Sequence, residues 1–287
     1  MGVDVIAAIR ANFPAMSKGQ KRIAQFILDN YEKAAFMTAA KLGAAVGVSE
    51  STVVRFCSII GYQGYPNMQK SLQELIRNRL TSVQRIEVAN SILEKEDLLS
   101  MVLRSDIENI RGTIEGTDRE TFSSAVDAIV QAKHIYILGV RSSAAIASFL
   151  GFYFNMMFDN IKLVNSSSIS EVFEQIFRVG PEDVVIAISF PRYSSRTVKA
   201  VKFAFDCGAS VVAITDSFSA PISSYATYSL IAKSDMVSVV DSLVAPMSLV
   251  NALIVAVSQK KDMNMPETFA ELECIWDEYE VYEKIES

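Results

Sequence analysis

Apolar positions near the start of the chain recur at helical spacing, interrupted at short intervals by polar caps and glycines. Ser17 followed by Gln20 forms a capping box, after which Ile23, Phe26 and Ile27 share one helix face. Thr38 is placed to cap a short helix running through Val46. Gly47 breaks that helix, Ser49 caps the next, and Gly61 ends it. A further helix is predicted from about Pro66 to Leu80, with proline near its first turn. Residues 81–116 hold no proline and carry Leu98, Leu99, Val102, Leu103, Ile107 and Ile110, the pattern of a helical connector.

From Thr117 the pattern changes. Thr117 and Glu120 form a second capping box, opening a helix with Phe122, Val126, Ile129 and Val130 on one side. A continuous apolar run follows at 134–140, and strand-like runs at 162–165, 184–189, 211–215 and 228–232. Helical segments separate them, notably 194–207 and 247–260. Such alternation predicts a parallel sheet covered on both faces. Sheets of this kind bind ligands beyond the carboxyl ends of their strands, so function is expected in the loops after Val140 and Ser189. The tail, 266–287, holds a helical stripe of Phe269, Leu272, Ile275, Trp276 and Tyr279, the mark of core or of a dimer seam. The resulting division is 1–80, a helical connector at 81–116, and 117–287 with an acidic C-terminal helix.

Composition sharpens this picture through charge. The 287 residues are half apolar and carry a net charge of −6, which argues against a nucleic-acid partner. The sum conceals a split. Residues 1–80 hold ten Lys/Arg and five Asp/Glu, a net of +5, while 81–287 hold 17 and 28, a net of −11. That asymmetry points to nucleic-acid binding by the basic part. Cys57, Cys207 and Cys274 are odd in number and widely spaced, which excludes a disulfide framework and a thiolate zinc site. The single histidine, His134, excludes multi-histidine metal sites, and no cofactor is expected. Asp4 and Arg10 leave no uninterrupted apolar signal region. Two uncharged stretches, 142–158 and 242–259, approach membrane-span length, but their serines, asparagines and Pro246 fit fully buried helices of a soluble cytoplasmic protein better.

Residues 39–58 fit a helix-turn-helix template. Leu42, Gly43, Val46, Val48, Val53 and Phe56 form the inner positions, with Gly43 small where the second helix crosses and Gly47 in the turn. Glu50, Ser51, Thr52, Arg55 and Ser58 face outward. Hydroxyls and an arginine suit a major groove, since Ser and Thr reach phosphates or base edges and Arg pairs with guanine. The predicted DNA contacts are Ser49, Ser51, Thr52 and Arg55. Lys18, Lys21, Arg22, Lys41 and Lys70 are further candidates for phosphates.

Two strand-to-helix loops carry hydroxyls and arginines in parallel positions. One is 139–143, with Arg141, Ser142 and Ser143. The other is 189–197, with Ser189, Arg192, Tyr193, Ser194 and Arg196. Helix N-termini favour anions, and arginine binds phosphate or carboxylate through two parallel hydrogen bonds. These eight residues are the predicted effector site. The competing reading is that Ser142 and Ser194 are ordinary helix N-caps.

The chain resembles the RpiR-type transcriptional regulators, which join a helix-turn-helix domain to a sugar isomerase (SIS) domain. The resemblance rests on Ala35-Phe36-Met37-Thr38, on 48–57, and on Gly61-Tyr62. In the second part it rests on 139–143, 183–189, Gly208-Ala209 and 213–217. It implies an all-α helix-turn-helix domain followed by a three-layer α/β domain with a parallel five-stranded sheet of flavodoxin-like type. It also implies a homodimeric or homotetrameric regulator that binds an operator in double-stranded DNA and senses a phosphosugar or related anionic sugar. SIS domains typically hold the phosphate with a Ser-x-Ser-Gly-x-Thr loop. Here Ser189 and Ser194 match its first serine and its threonine, whereas Pro191 and Arg192 replace the second serine and the glycine. The alternative is a phosphosugar isomerase or lyase, because Glu171 resembles the base position of SIS isomerases. A first-turn helix carboxylate or surface charge is the preferred reading of Glu171, and no enzyme activity is expected.

Overall fold

In a computed structural model that describes residues 5–77, 97–166, 168–236, 240–261 and 265–283, the chain forms two compact units. One is Met1–Met101 with Met236–Asp241, and the other is Val102–Asp235 with Ser242–Ser287.

The first unit is helical: α1 (Val5–Asn12), α2 (Lys18–Asp29), α3 (Tyr31–Ala34), α4 (Ala39–Val46), α5 (Glu50–Ile59) and α6 (Tyr65–Arg77). The capping box at α2 forms in both directions. Ser17 N–H donates to Gln20 Oε1 at 2.9 Å, and Gln20 N–H to Ser17 Oγ at 3.5 Å. Thr38 Oγ1 accepts the Lys41 N–H at 3.2 Å and so starts α4. Ile9, Ile23, Ile27, Leu42, Val53, Phe56 and Leu72 meet in one fully buried core, each contributing roughly 1.5–3 kcal/mol. Cys57 lies in it beside the Met68 sulfur, 3.6 Å away, and burial pushes its thiol up to about 11. The predicted end of α6 at 78–80 and the connector residues 81–96 lie outside the described residues.

The rest of the connector is the helix α7 (Leu98–Gly116), but its apolar stripe is not what it buries. Leu98, Leu99, Val102, Leu103 and Ile107 are exposed, whereas Asn109 and Thr113 are buried. The reason is hydrogen bonding within the second unit. Asn109 Nδ2 donates to the Asp235 carbonyl at 3.2 Å, its Oδ1 accepts the Asp235 N–H at 3.0 Å, and Thr113 Oγ1 accepts the Lys233 N–H at 2.8 Å. The next helix, α8 (Arg119–Gln131), is capped by Asp118, which takes the Thr121 N–H at 2.8 Å. The predicted Thr117–Glu120 box is therefore corrected. Thr117 instead donates its hydroxyl back to the Thr113 carbonyl at 2.6 Å, closing α7.

Five parallel strands follow: β1 (Ile135–Gly139), β2 (Ile161–Val164), β3 (Val184–Ile188), β4 (Ser210–Thr215) and β5 (Tyr228–Ile231), in the order β2-β1-β3-β4-β5. Between them run α9 (Ser143–Asn155), α10 (Ile169–Ile176) and α11 (Ser195–Asp206). The helices α12 (Val244–Lys260) and α13 (Met265–Glu278) come last. Ile135 and Ile137 of β1 point into one core with α8, α9 and α12, and Tyr136 and Leu138 into the other with α10 and α11. This period-two division of a wholly apolar strand produces the three layers.

The two uncharged stretches become α9 and α12, and each buries one face only. Ile146, Leu150 and Phe154 are buried while Phe152 is 58% exposed; Leu249 and Leu253 are buried while Val255 is 55% exposed. The expectation of full burial is corrected, because α9 lies on β1 and β2 and α12 lies against α8 and α9, with nothing from the described residues over the whole of the opposite side of either helix. Among the described residues, no single helix is long and apolar enough to cross a membrane. In α13, Phe269, Leu272 and Trp276 are half-buried, and Ile275 and Tyr279 are exposed.

Candidate nucleic-acid interface and effector site

In the first unit α4 and α5 meet at 102°, the helix-turn-helix crossing. The inner positions do what their spacing predicts: Leu42, Gly43, Val53 and Phe56 are buried, and Val46 and Val48 pack against the same core. A Cβ on Gly43 would stand 2.7 Å from the Val48 carbonyl oxygen. Gly47 takes φ +67°, the left-handed conformation that glycine adopts without steric cost.

The first turn of α5 is a knot of hydroxyls. Ser49 Oγ accepts the Thr52 N–H at 3.3 Å and lies 2.9 Å from the hydroxyls of both Ser51 and Thr52. Arg55 is exposed, and its Nε donates to the Ser51 carbonyl at 3.2 Å, bracing the guanidinium one turn along the helix. Ser51, Glu50 and Ser58 are exposed, while Thr52 is half-buried beside Gly19 of α2. Lys41, in the first turn of α4, and Lys70, on α6, are exposed.

In the second unit the strand order reverses between β1 and β3. The chain leaves β1 toward β2 on one side and leaves β3 toward β4 on the other, which opens a crevice at their carboxyl ends. The register pairs Gly139 with Ile188, so the two predicted loops begin as neighbours on the same edge. Arg141, Ser142 and Ser143 follow β1, and Ser189, Arg192, Tyr193, Ser194 and Arg196 follow β3.

Arg141 turns the chain from β1 into α9 with φ +58°, its carbonyl accepting the Ala144 N–H at 3.1 Å. A left-handed conformation costs a non-glycine residue about 1–2 kcal/mol. Ser142 is helical in φ and ψ, and neither it nor Ser194 caps its helix through the side chain. The plain N-cap reading of these two serines is therefore corrected. Ser143 and Ser189 are buried, Arg141, Ser142 and Arg192 are exposed, and Tyr193, Ser194 and Arg196 are half-buried.

Two residues at this edge lie in the segments singled out above but are not among the predicted site residues. Tyr193 donates its hydroxyl to Asp216 Oδ1 at 2.8 Å, and the Thr215 hydroxyl reaches the same oxygen at 3.3 Å, so the end of β4 holds the loop after β3. Asp216 is legible only as the polar residue that closes an apolar strand at the ligand edge. Thr197, in the first turn of α11, is 1% exposed and its Oγ1 has no hydrogen-bond partner. Glu171 lies in the first turn of α10 and accepts the Ser166 hydroxyl. His134 precedes β1 and bonds Asp183 at 2.8 Å, at the amino ends of the strands and away from the crevice.

A basic helix-turn-helix module joined to a flavodoxin-like module defines a class of two-domain DNA-binding proteins. Comparison with known proteins specifies the family. The model of the helix-turn-helix domain of the rpiR family matches residues 3–79, and that of the SIS domain matches 128–256. The chain belongs to the RpiR family of DNA-binding transcriptional regulators with a SIS domain. It is 26% identical over 230 residues to the transcriptional regulator HexR of Escherichia coli K12, covering 79% of this chain and 77% of that protein. The sugar isomerase domain of an RpiR transcription factor from Sphaerobacter thermophilus superposes with a TM-score of 0.59 at 29% identity, over 62% of this chain and 99% of that one. The NanR protein of Vibrio vulnificus, solved in complex with ManNAc-6P, shares the fold over 96% of this chain and 98% of its own. Its TM-score is 0.58 at 20% identity.

Proposed function

We propose that the crevice between β1 and β3 binds a phosphosugar or related anionic sugar, and that its occupancy alters the affinity of α5 for an operator. The observation that carries this reading is the pairing of two helix N-termini at one sheet edge, α9 and α11, neither capped by its own serine. Helix N-termini favour an anion, and Arg141, Arg192 and Arg196 supply positive charge around it. Ser142, Ser143, Ser189 and Ser194 offer hydroxyls to the phosphate or the sugar. Tyr193, tied to Asp216, fixes the loop that carries Arg192. The ManNAc-6P bound to NanR supports the phosphosugar class without naming the ligand of this chain.

In the DNA-binding unit, Ser51, Thr52 and Arg55 read the operator, with Ser49 ordering the first turn and Lys41 and Lys70 on the flanking phosphates. The protein acts in the cytoplasm as a homodimer or homotetramer, and two copies of α5 meet half-sites about one helical turn (~34 Å) or a multiple apart. Ligand coupling of about 1–3 kcal/mol is enough to switch occupancy. The protein acts as a regulator and not as an isomerase, in keeping with relatives that are named transcriptional regulators.

Two experiments test the two halves of the reading. Arg55→Ala should lower the preference for an operator selected from a randomised duplex pool by about 5- to 150-fold, the worth of one bidentate base contact. An unchanged preference removes Arg55 from the reading surface. In a thermal-shift panel of sugar 6-phosphates and sugar acids, Ser142→Ala combined with Arg192→Ala should erase the shift that the wild type gives. A retained shift moves the site elsewhere.

A further inference from the structure

The amino-terminal half of α2, which carries the phosphate candidates Lys18, Lys21 and Arg22, stands against the recognition helix. Arg22 Nη2 donates to the Gly47 carbonyl at 3.0 Å, which ties α2 to the turn between α4 and α5. A Cβ on Gly19 would lie 3.5 Å from Val48 Cγ1 and 3.9 Å from Thr52 Cγ2, so the first turn of α2 abuts the first turn of α5. Beside this contact lies an open depression of about 530 Å³ lined by Phe13, Met16, Lys18, Lys21, Arg22 and Gln25. Three of these six residues are cationic and none is acidic. Lys21 carries its ammonium 5.9 Å from the centre of the Phe13 ring, Lys18 is exposed, and the acidic Asp29 sits at the far end of the helix, held by Gln25 at 2.9 Å.

We propose that this face of α2, with Lys18 and Lys21 as its contacts and Arg22 as its brace to the turn, is a second, sequence-independent docking surface for the DNA phosphate backbone. The partner is double-stranded DNA for two reasons. The face is continuous with the first turn of α5, the part of a recognition helix that meets the duplex. It is also a cationic concavity in the basic part of the chain, 1–80 at +5 against −11 in the remainder, which matches the charge of a phosphate chain. Lysines suit this role because an ammonium meets a phosphate as a point charge without demanding a fixed geometry. The surface widens each half-site footprint without adding base discrimination. The inference rests on α5 being the reading helix.

The test measures binding of the full-length protein to a labelled 30-base-pair duplex of mixed sequence by anisotropy, across 25–200 mM salt. Each neutralised phosphate contributes about 0.9 to the slope of log K against log salt. Lys18→Gln with Lys21→Gln should therefore make the slope shallower by about 1.8. The thermal melt and the ratio of selected-operator to mixed-sequence affinity should remain unchanged. Lys18→Arg with Lys21→Arg should restore the slope. A slope equal to wild type in the glutamine pair overturns the proposal, and so does a fall in the operator ratio, which would make α2 a reader of bases. Arg55→Ala measured alongside separates the two readings. An operator ratio unmoved by Arg55→Ala sinks the assignment of α5, whereas a slope unmoved by the lysine pair sinks the α2 surface.

Discussion

Gly43→Ala is expected to abolish operator preference while leaving the response of the SIS domain to anionic sugars intact. The added methyl would stand 2.7 Å from the Val48 carbonyl oxygen and 3.4 Å from the backbone of Ser49 and Glu50. All three neighbours are main chain, so no side-chain rotamer can relieve the clash. The turn must move, and with it Ser49, whose hydroxyl starts α5 and orders Ser51 and Thr52. Overpacking of this kind costs about 1–3 kcal/mol, and it falls on the angle at which α5 is presented. Anisotropy with the selected operator and with mixed-sequence duplex should converge on one weak affinity. Retained preference would show that the 102° crossing tolerates a wider spacing than the contact allows.

Gly139→Ala is the matching lesion in the other unit. Its Cβ would stand 2.7 Å from both the Ser143 carbonyl oxygen and the Ala147 Cβ, on the face where α9 packs on β1. The start of α9 must withdraw, carrying Ser142 and Ser143 out of register with the loop after β3. The expected result is a loss of about 1–3 kcal/mol of stability and disappearance of the thermal shift given by a sugar phosphate. Binding of the unliganded protein to DNA should persist. A variant that melts earlier but keeps the full shift would place the ligand away from the β1 loop.

The helix-turn-helix was legible because it is a local object. Its caps at Thr38 and Ser49 and its turn at Gly47, like the capping box of α2 at Ser17, each depend on residues within four positions of one another, and each formed as its spacing predicts. The five strands were legible for a related reason, since a run buried on both faces has no polar position to blur it. The burial of the connector helix was not legible, because its partners lie far along the chain. The connector helix buries Asn109 and Thr113 because the backbone of Lys233 and Asp235, more than 100 residues away, needs their hydrogen bonds. Asp118 displaced Thr117 as the cap of α8 because Thr117 had already found the Thr113 carbonyl.

The candidate effector site divides along the same line. The residue types at the ends of β1 and β3, and the gathering of net basic charge in the first 80 residues, follow from the linear order of the chain alone. Strand order and helix docking decided the rest. Only the order β2-β1-β3-β4-β5 makes the loops after β1 and β3 neighbours, brings Asp216 from the end of β4 to Tyr193, and leaves Thr197 buried without a partner. In the reader, likewise, only packing placed Gly19 and Arg22 of α2 against the turn and the first turn of α5. Periodicity and caps are written in contacts a few residues long, so a linear reading recovers them. A site assembled from several strand ends and helices exists only once the sheet has chosen its order.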